Sequence, residues 1–268
     1  MRIPFLSPRL PRIAVIRLHG VIGVPVRNGA AGLSDAGLAP ILERAFRRGK
    51  PAAVALSINS PGGSPVQSSL IAARIRRLAE RHKLPVHVFV EDVAASGGYW
   101  LACAGDEIWA DESSILGSIG VISAGFGFHE LIARWGIERR VHTAGRSKST
   151  LDPFRPEKPE DVERLQGILD PIHEAFKAHV RARRGAKLAA DTDLFTGEFW
   201  PGRRAIELGL ADAIGHLEPV MRERYGDKVK FLTYGLRVPW FRRIGLSADA
   251  LLDTGEERAA FARFGIGG

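Results

Sequence analysis

Residues 86–100 read Val-His-Val-Phe-Val-Glu-Asp-Val-Ala-Ala-Ser-Gly-Gly-Tyr-Trp. The run from Val86 to Val90 is short, apolar and rich in branched residues, which predicts a strand buried on both faces. Ala94-Ala-Ser-Gly-Gly98 breaks that run and opens a helix through about Ala104. Upstream the same grammar recurs. Ala52 to Ile58 predicts a buried strand, and Asn59-Ser-Pro-Gly-Gly-Ser-Pro65 predicts a tight turn. A helical pattern follows from Val66 to His82, with Leu70, Ile71, Ile75 and Leu78 on one side. Ile13 to Leu18 supplies one more strand. Ser34 caps a helix from about Asp35 to Arg48, which Gly49-Lys50-Pro51 ends. Strands alternating with helices imply an α/β domain with a parallel sheet and flanking helices.

Downstream, Ile108-Trp109 and Ile119 to Ile122 are short strand candidates. His129 to Trp135 reads as a helix and Glu138 to His142 as a strand. A long helix is predicted from about Pro159 to Arg183, and another from Trp200 to Leu208, ending at Gly209. Residues 1–11 form an irregular lead-in, 12–236 one domain, and 237–268 a C-terminal tail.

Composition narrows the function classes. Hydrophobic residues make up 45% and charged residues 25% of 268, an ordinary globular balance. The single cysteine, Cys103, rules out an internal disulfide and any cysteine-pair zinc site, and it reads as a buried structural thiol. The eight histidines show no H-E-x-x-H spacing. No metal and no cofactor are expected. The net charge of +8 suits an arginine-rich soluble surface. No aromatic and basic run resembles a nucleic-acid platform. No apolar stretch approaches the roughly 18–20 residues that span a bilayer. The expectation is a cytoplasmic protein, at most peripheral on the inner membrane face through Trp240-Phe-Arg-Arg-Ile244.

Two constellations carry chemistry. In Ser57-Ile-Asn-Ser-Pro-Gly-Gly-Ser64, Gly62 and Gly63 follow a strand and let backbone N–H groups face a cleft, where they would stabilise an oxyanion. The turn also reads simply as a tight strand-to-helix connection. In the second, Ser96 lies where a strand gives way to a helix. A nucleophile there gains a helix N-terminus and small neighbours, and the N–H of Gly97 adds a second oxyanion donor. Ser96 alone reads more readily as a helix cap than as a nucleophile. Adjacent parallel strands bring both turns to one C-terminal sheet edge, where α/β proteins bind ligands.

The pairing of S-x-N-S-P-G-G with A-A-S-G-G-Y, followed by Gly117-Ser-Ile-Gly-Val121, resembles the Clp-protease and crotonase superfamily. Within it the sequence is similar to the signal peptide peptidase A family of serine peptidases from about Ile13 to Gly215. A Clp-type protease has a histidine where this chain has Val121. Instead Ala144-Gly-Arg-Ser-Lys-Ser-Thr-Leu-Asp-Pro-Phe154 resembles the family's lysine segment. The resemblance implies a Ser96–Lys148 dyad, with Ser118 orienting the lysine, although Ser118 reads equally as a turn residue. Ser147 stands where the family often has an aromatic residue, a change in pocket shape. Lys148 must be neutral to take the Ser96 proton. A free lysine, with a pKa of about 10.4, is almost fully protonated at pH 7. Burial against apolar groups lowers that value, whereas a carboxylate beside it would raise it, so Glu91 and Asp92 are expected not to touch Lys148.

The resemblance further implies hydrolysis of apolar peptides such as remnant signal peptides. It also implies a homo-oligomeric ring, of octamer size, with catalytic groups shared across an interface. The rival readings are a crotonase-like acyl-CoA enzyme, which leaves Ser96 and Lys148 unexplained together, and an inactive scaffold with the peptidase fold.

Overall fold

A computed structural model describes residues 10–23, 33–145, 147–236 and 259–265. The tail segment Trp240–Ile244 lies outside the described residues.

The first five elements are β1 (Arg12–His19), α1 (Asp35–Arg47), β2 (Ala53–Ser60), α2 (Pro65–His82) and β3 (Val86–Ala95). The helix starts follow the sequence. Ser34 Oγ accepts the Gly37 N–H at 3.3 Å, and Ser64 Oγ accepts the Gln67 N–H at 3.4 Å, with Pro65 opening α2 where its missing N–H costs nothing. The buried side of α2 comprises Ser68, Ile71, Ala72, Ile75, Leu78 and Ala79, while Leu70 faces outward.

The strands β1, β2 and β3 pair in parallel, β2 between the other two. The β3 strand is unusually long and carries a register irregularity opposite Ile58–Ser60. Its first half pairs with β4 (Glu107–Ala110) and its last three residues pair with β5 (Ile115–Gly117). The short helix α3 (Gly97–Ala102) follows β3 directly. Further along come α4 (His129–Arg134), α5 (Pro159–Arg184), β6 (Phe199–Pro201), α6 (Gly202–Glu207), β7 (Ala213–Ile214), α7 (Leu217–Tyr225) and β8 (Lys230–Tyr234). The sheet runs β6-β5-β3-β2-β1-β8, with β4 branching from β3 and β7 pairing with β4, and among the described residues only the β5–β6 pair is antiparallel.

One face of the sheet packs Val54, Leu56 and Ile58 against α1, α2, α3 and α5 in the main core. The opposite face packs Ile13, Val15, Ala53, Ala55 and Phe89 against Val220 and Met221 of α7. A third cluster joins Val93, Ala95 and Ile115 to Phe261 and Phe264, so residues 259–265 lie against the β3–β5 end of that second face. The result is a single α/β domain with a mostly parallel, helix-flanked sheet.

Three local expectations are corrected. Residues 119–122 and 138–142 are not strands: Ile119 packs into the main core, and no strand among the described residues offers either segment a ladder partner. The helix expected from Trp200 begins at Gly202, because residues 199–201 pair with β5 instead.

Candidate active site

The Ala95↔Gly117 pair ends the parallel ladder between β3 and β5, so Ser96 and Ser118 leave neighbouring strands side by side. The Ser96 N–H donates to Gly117 O at 2.8 Å, and the Ser118 N–H donates to Glu198 O at 2.6 Å. Ser96 has φ 52° and ψ −121°, a sparsely populated conformation for a residue with a side chain. Its hydroxyl makes no capping bond to α3, which removes the simplest structural reason for a serine there. The peptide holding Ser96 in this strained shape is fixed on both sides, since Trp100 N–H returns to Ser96 O at 3.0 Å.

The Ser57–Ser64 turn abuts this position. A methyl group on Gly62 would lie 2.8 Å from Ser96 Cβ and 2.9 Å from Gly97 N. The carbonyl of Gly62 accepts from Ile22 N–H at 2.8 Å, and Ser64 N–H donates to Ile22 O at 2.9 Å. A trans peptide points its C=O and N–H in opposite directions. With the Gly62 carbonyl aimed at Ile22, the Gly63 N–H therefore faces away from it, toward the Ser96 side. There, Gly63 N lies 3.4 Å from where a Gly97 side chain would begin. Gly63 adopts φ +139°, and a Cβ on it would sit 2.1 Å from Ile22 O, so no other residue fits. The Gly62 N–H donates to Ser60 Oγ at 3.3 Å. Of the three expected donors, those of Gly63 and Gly97 remain unengaged among the described residues.

Helix α5 braces the site from behind. Trp100 is stacked between Phe176 and His179, at centroid distances of 4.7 and 5.2 Å. His179 Nε2 donates to Trp100 O at 3.1 Å, and burial holds its pKa below the ordinary histidine value. His173 Nε2 donates to Ile119 O, also at 3.1 Å, one residue past Ser118. Neither histidine was singled out in the sequence. Their spacing along a long amphipathic helix was the available signal.

Lys148 lies on the 119–158 stretch, and its residue is exposed in the single chain. No hydrogen bond joins it to Ser96 or Ser118 among the described residues. The structure thus brings Ser96, Ser118, Gly62, Gly63 and Gly97 together and leaves Lys148 on a separate arm. Glu91 and Asp92, expected to stay clear of Lys148, are engaged elsewhere: Glu91 accepts from Ser57 and Asp92 from Asn59. Cys103 is fully buried, and burial pushes its thiol pKa up to about 12. Among the described residues, no group of three His, Cys, Asp or Glu side chains is placed to hold a metal ion, and no helix is long and apolar enough to cross a membrane.

Comparison with known proteins adds a family. Residues 79–228, which contain Ser96, Ser118 and Lys148, match the peptidase family S49 model. Synechocystis sp. slr0021, a protein named as a protease, is 31% identical over 79% of this chain and 73% of its own length. The chloroplastic serine protease SPPA of Arabidopsis thaliana is 33% identical over 77% of this chain and 31% of its own length. A Brucella abortus protein named Na(+)/H(+) antiporter NhaA is 51% identical over 95% of this chain. The chain spans only 37% of that relative's length, so the antiporter name describes a much longer protein. On the matched family and the protease-named relatives, the chain belongs to peptidase family S49.

Proposed function

We propose that this chain is a serine endopeptidase that hydrolyses apolar peptides such as remnant signal peptides. Ser96 is the nucleophile and Lys148 the general base. Ser118 orients the lysine, and the N–H groups of Gly63 and Gly97 receive the oxyanion. The observation that carries this reading is the strained, uncapped Ser96 set against two unengaged backbone donors at the end of a parallel sheet. In the reaction the Lys148 amine takes the hydroxyl proton as Ser96 Oγ bonds to the peptide carbonyl carbon. The carbonyl electrons move to oxygen, where the two N–H groups stabilise them. The lysine then passes the proton to the departing amine. Water, deprotonated by the same amine, hydrolyses the ester and restores Ser96.

Lys148 completes this site through assembly in the proposed enzyme. The arm that carries it exposes Ile122, Phe126, Leu131, Trp135 and Ile137, and no residue of α4 is buried. Apolar side chains exposed in such numbers mark a surface that another molecule covers. A homo-oligomeric ring, up to an octamer, buries them, takes Lys148 out of water and presents its amine to a serine. Desolvation disfavours the ammonium form, as the chemistry requires.

An apolar chromogenic peptide tests the reading. Ser96→Ala and Lys148→Ala are each expected to lower kcat/KM by at least about a thousandfold, because members of a catalytic unit fail together. Undiminished hydrolysis by Ser96→Ala would exclude it as the nucleophile.

A further inference from the structure

The sheet face turned away from α1, α2 and α3 carries a polar cluster that the proposed reaction does not use. Side chains alternate along strands, so the apolar set Ile13, Val15, Ala53, Ala55 and Phe89 gives way on the same face to His19, Ser57 and Glu91. His19 Nε2 lies 2.8 Å from Ser57 Oγ, and Ser57 Oγ donates to Glu91 Oε1 at 2.5 Å. His19 Nε2 is also 3.3 Å from the same carboxylate oxygen. One imidazole N–H therefore serves a hydroxyl that passes its own proton toward a carboxylate. This is not a second nucleophilic triad. There, serine donates to the imidazole and the carboxylate holds the other ring nitrogen. The cluster is a lateral tie across β1, β2 and β3.

Each tied residue leads into the candidate active site. His19 ends β1, and the chain beyond it is bonded along the Ser57–Ser64 turn. Gly20 N–H donates to Asn59 O at 2.9 Å, and Ser60 Oγ donates to Gly20 O at 2.7 Å. Ile22 then accepts and donates the two bonds that aim the Gly63 N–H. Glu91 lies on the same strand as Ala95, which precedes Ser96.

We infer that His19, Ser57 and Glu91 are positioning residues that fix the aim of the Gly63 donor in a proton-dependent way. The catalytic consequence rests on the reading of Ser96 as nucleophile; the tie itself does not. The charged and polar groups facing it are Arg17 from β1, Asp92 bound to Asn59, and the Asp111–His216 pair at 2.9 Å on the far wall of the adjoining cleft. From α7 that cleft receives apolar Leu217. The His19 hydrogen bond, then that of Ser57, holds the Glu91 carboxyl below the ordinary carboxylate range against the opposing cost of burial. The carboxylate form is thus the native one at neutral pH, and the tie is lost as pH falls through that lowered value.

Hydrogen exchange read by mass spectrometry over residues 59–64 tests the tie directly, whatever the activity. Glu91→Gln and, as a second variant, Ser57→Ala are each expected to raise exchange there by about tenfold, the factor a charge-assisted hydrogen bond is worth. His19→Gln keeps an N–H donor and is expected to stay within about threefold of the parent, which a loss of packing alone would not give. In peptide hydrolysis, Glu91→Gln is expected to lower kcat by about tenfold with KM within about twofold, and its excess exchange over the parent should shrink as pH falls below the ordinary carboxylate range. Exchange over 59–64 unchanged in both Glu91→Gln and Ser57→Ala would overturn the inference. A wild-type hydrolysis rate in Ser96→Ala would instead remove the peptidase reading and leave the exchange result standing.

Discussion

At the residue scale, the candidate site is built from backbone shapes that side chains rarely adopt. Ser96 at φ 52° and Gly63 at φ +139° are both held by hydrogen bonds from neighbouring segments. Gly63→Ala places a methyl group 2.1 Å from Ile22 O, so the turn must shift. We expect a loss of about 2 kcal/mol or more in thermal unfolding, and a larger proportional loss of kcat than of binding. The glycine pair and Ser96 were legible in the sequence because turn residues at fixed offsets have few uses. Which N–H groups remain unengaged was not legible, since that depends on Ser60 and Ile22 arriving from other parts of the chain. Cys103 gives a simple check on burial. Its thiol, fully buried and pushed up to about 12 by that burial, should resist alkylation at pH 8 until the protein unfolds, and fast modification of the native protein would contradict the packing.

At the element scale, helices announced themselves and short strands did not. The helices α1, α2 and α5 have clear starts, and α1 and α2 show apolar spacing, so their bounds fell close to the expected ones. The apolar run 119–122 and the mixed run 138–142 looked like strands by local pattern, yet a strand exists only where another offers its edge. The stretch containing them instead exposes large apolar groups; Phe126 is 81% exposed and Trp135 77%. Such an arm calls for a partner. If the proposed homo-oligomer forms through this arm, the double variant Phe126→Asp/Trp135→Asp should move the particle mass in light scattering from a multiple of the chain mass toward 29.2 kDa. Because both side chains are exposed in their own chain, any fall in melting temperature should be the part that assembly contributes and should depend on protein concentration. An unchanged mass would show that the arm does not hold the assembly.

At the scale of the whole molecule, polar staples join the long helix to the sheet. Arg184 is buried at the end of α5 and donates to Asp212 and to Gly209 O. Asp212→Asn leaves that guanidinium buried without its counter-charge and should cost about 3 kcal/mol in unfolding experiments. Burial pushes the Asp212 carboxyl up, but hydrogen bonds from Arg184, Lys187 and Ile108 N–H together hold it below the ordinary range. Its contribution is therefore present above the unfolded carboxyl value and lost as pH falls through the lowered one, so acid should destabilise the parent more than the Asn variant. Such links join positions far apart in sequence and have no local signature, which is why the parallel sheet could be inferred and its bracing could not. In the proposed peptidase, acyl transfer passes through Ser96. Rapid quenching with an apolar peptide ester, followed by mass-spectrometric mapping, should place the acyl group on the fragment containing Ser96. An acyl group on another residue with Ser96 unmodified, while the ester is turned over, would contradict it.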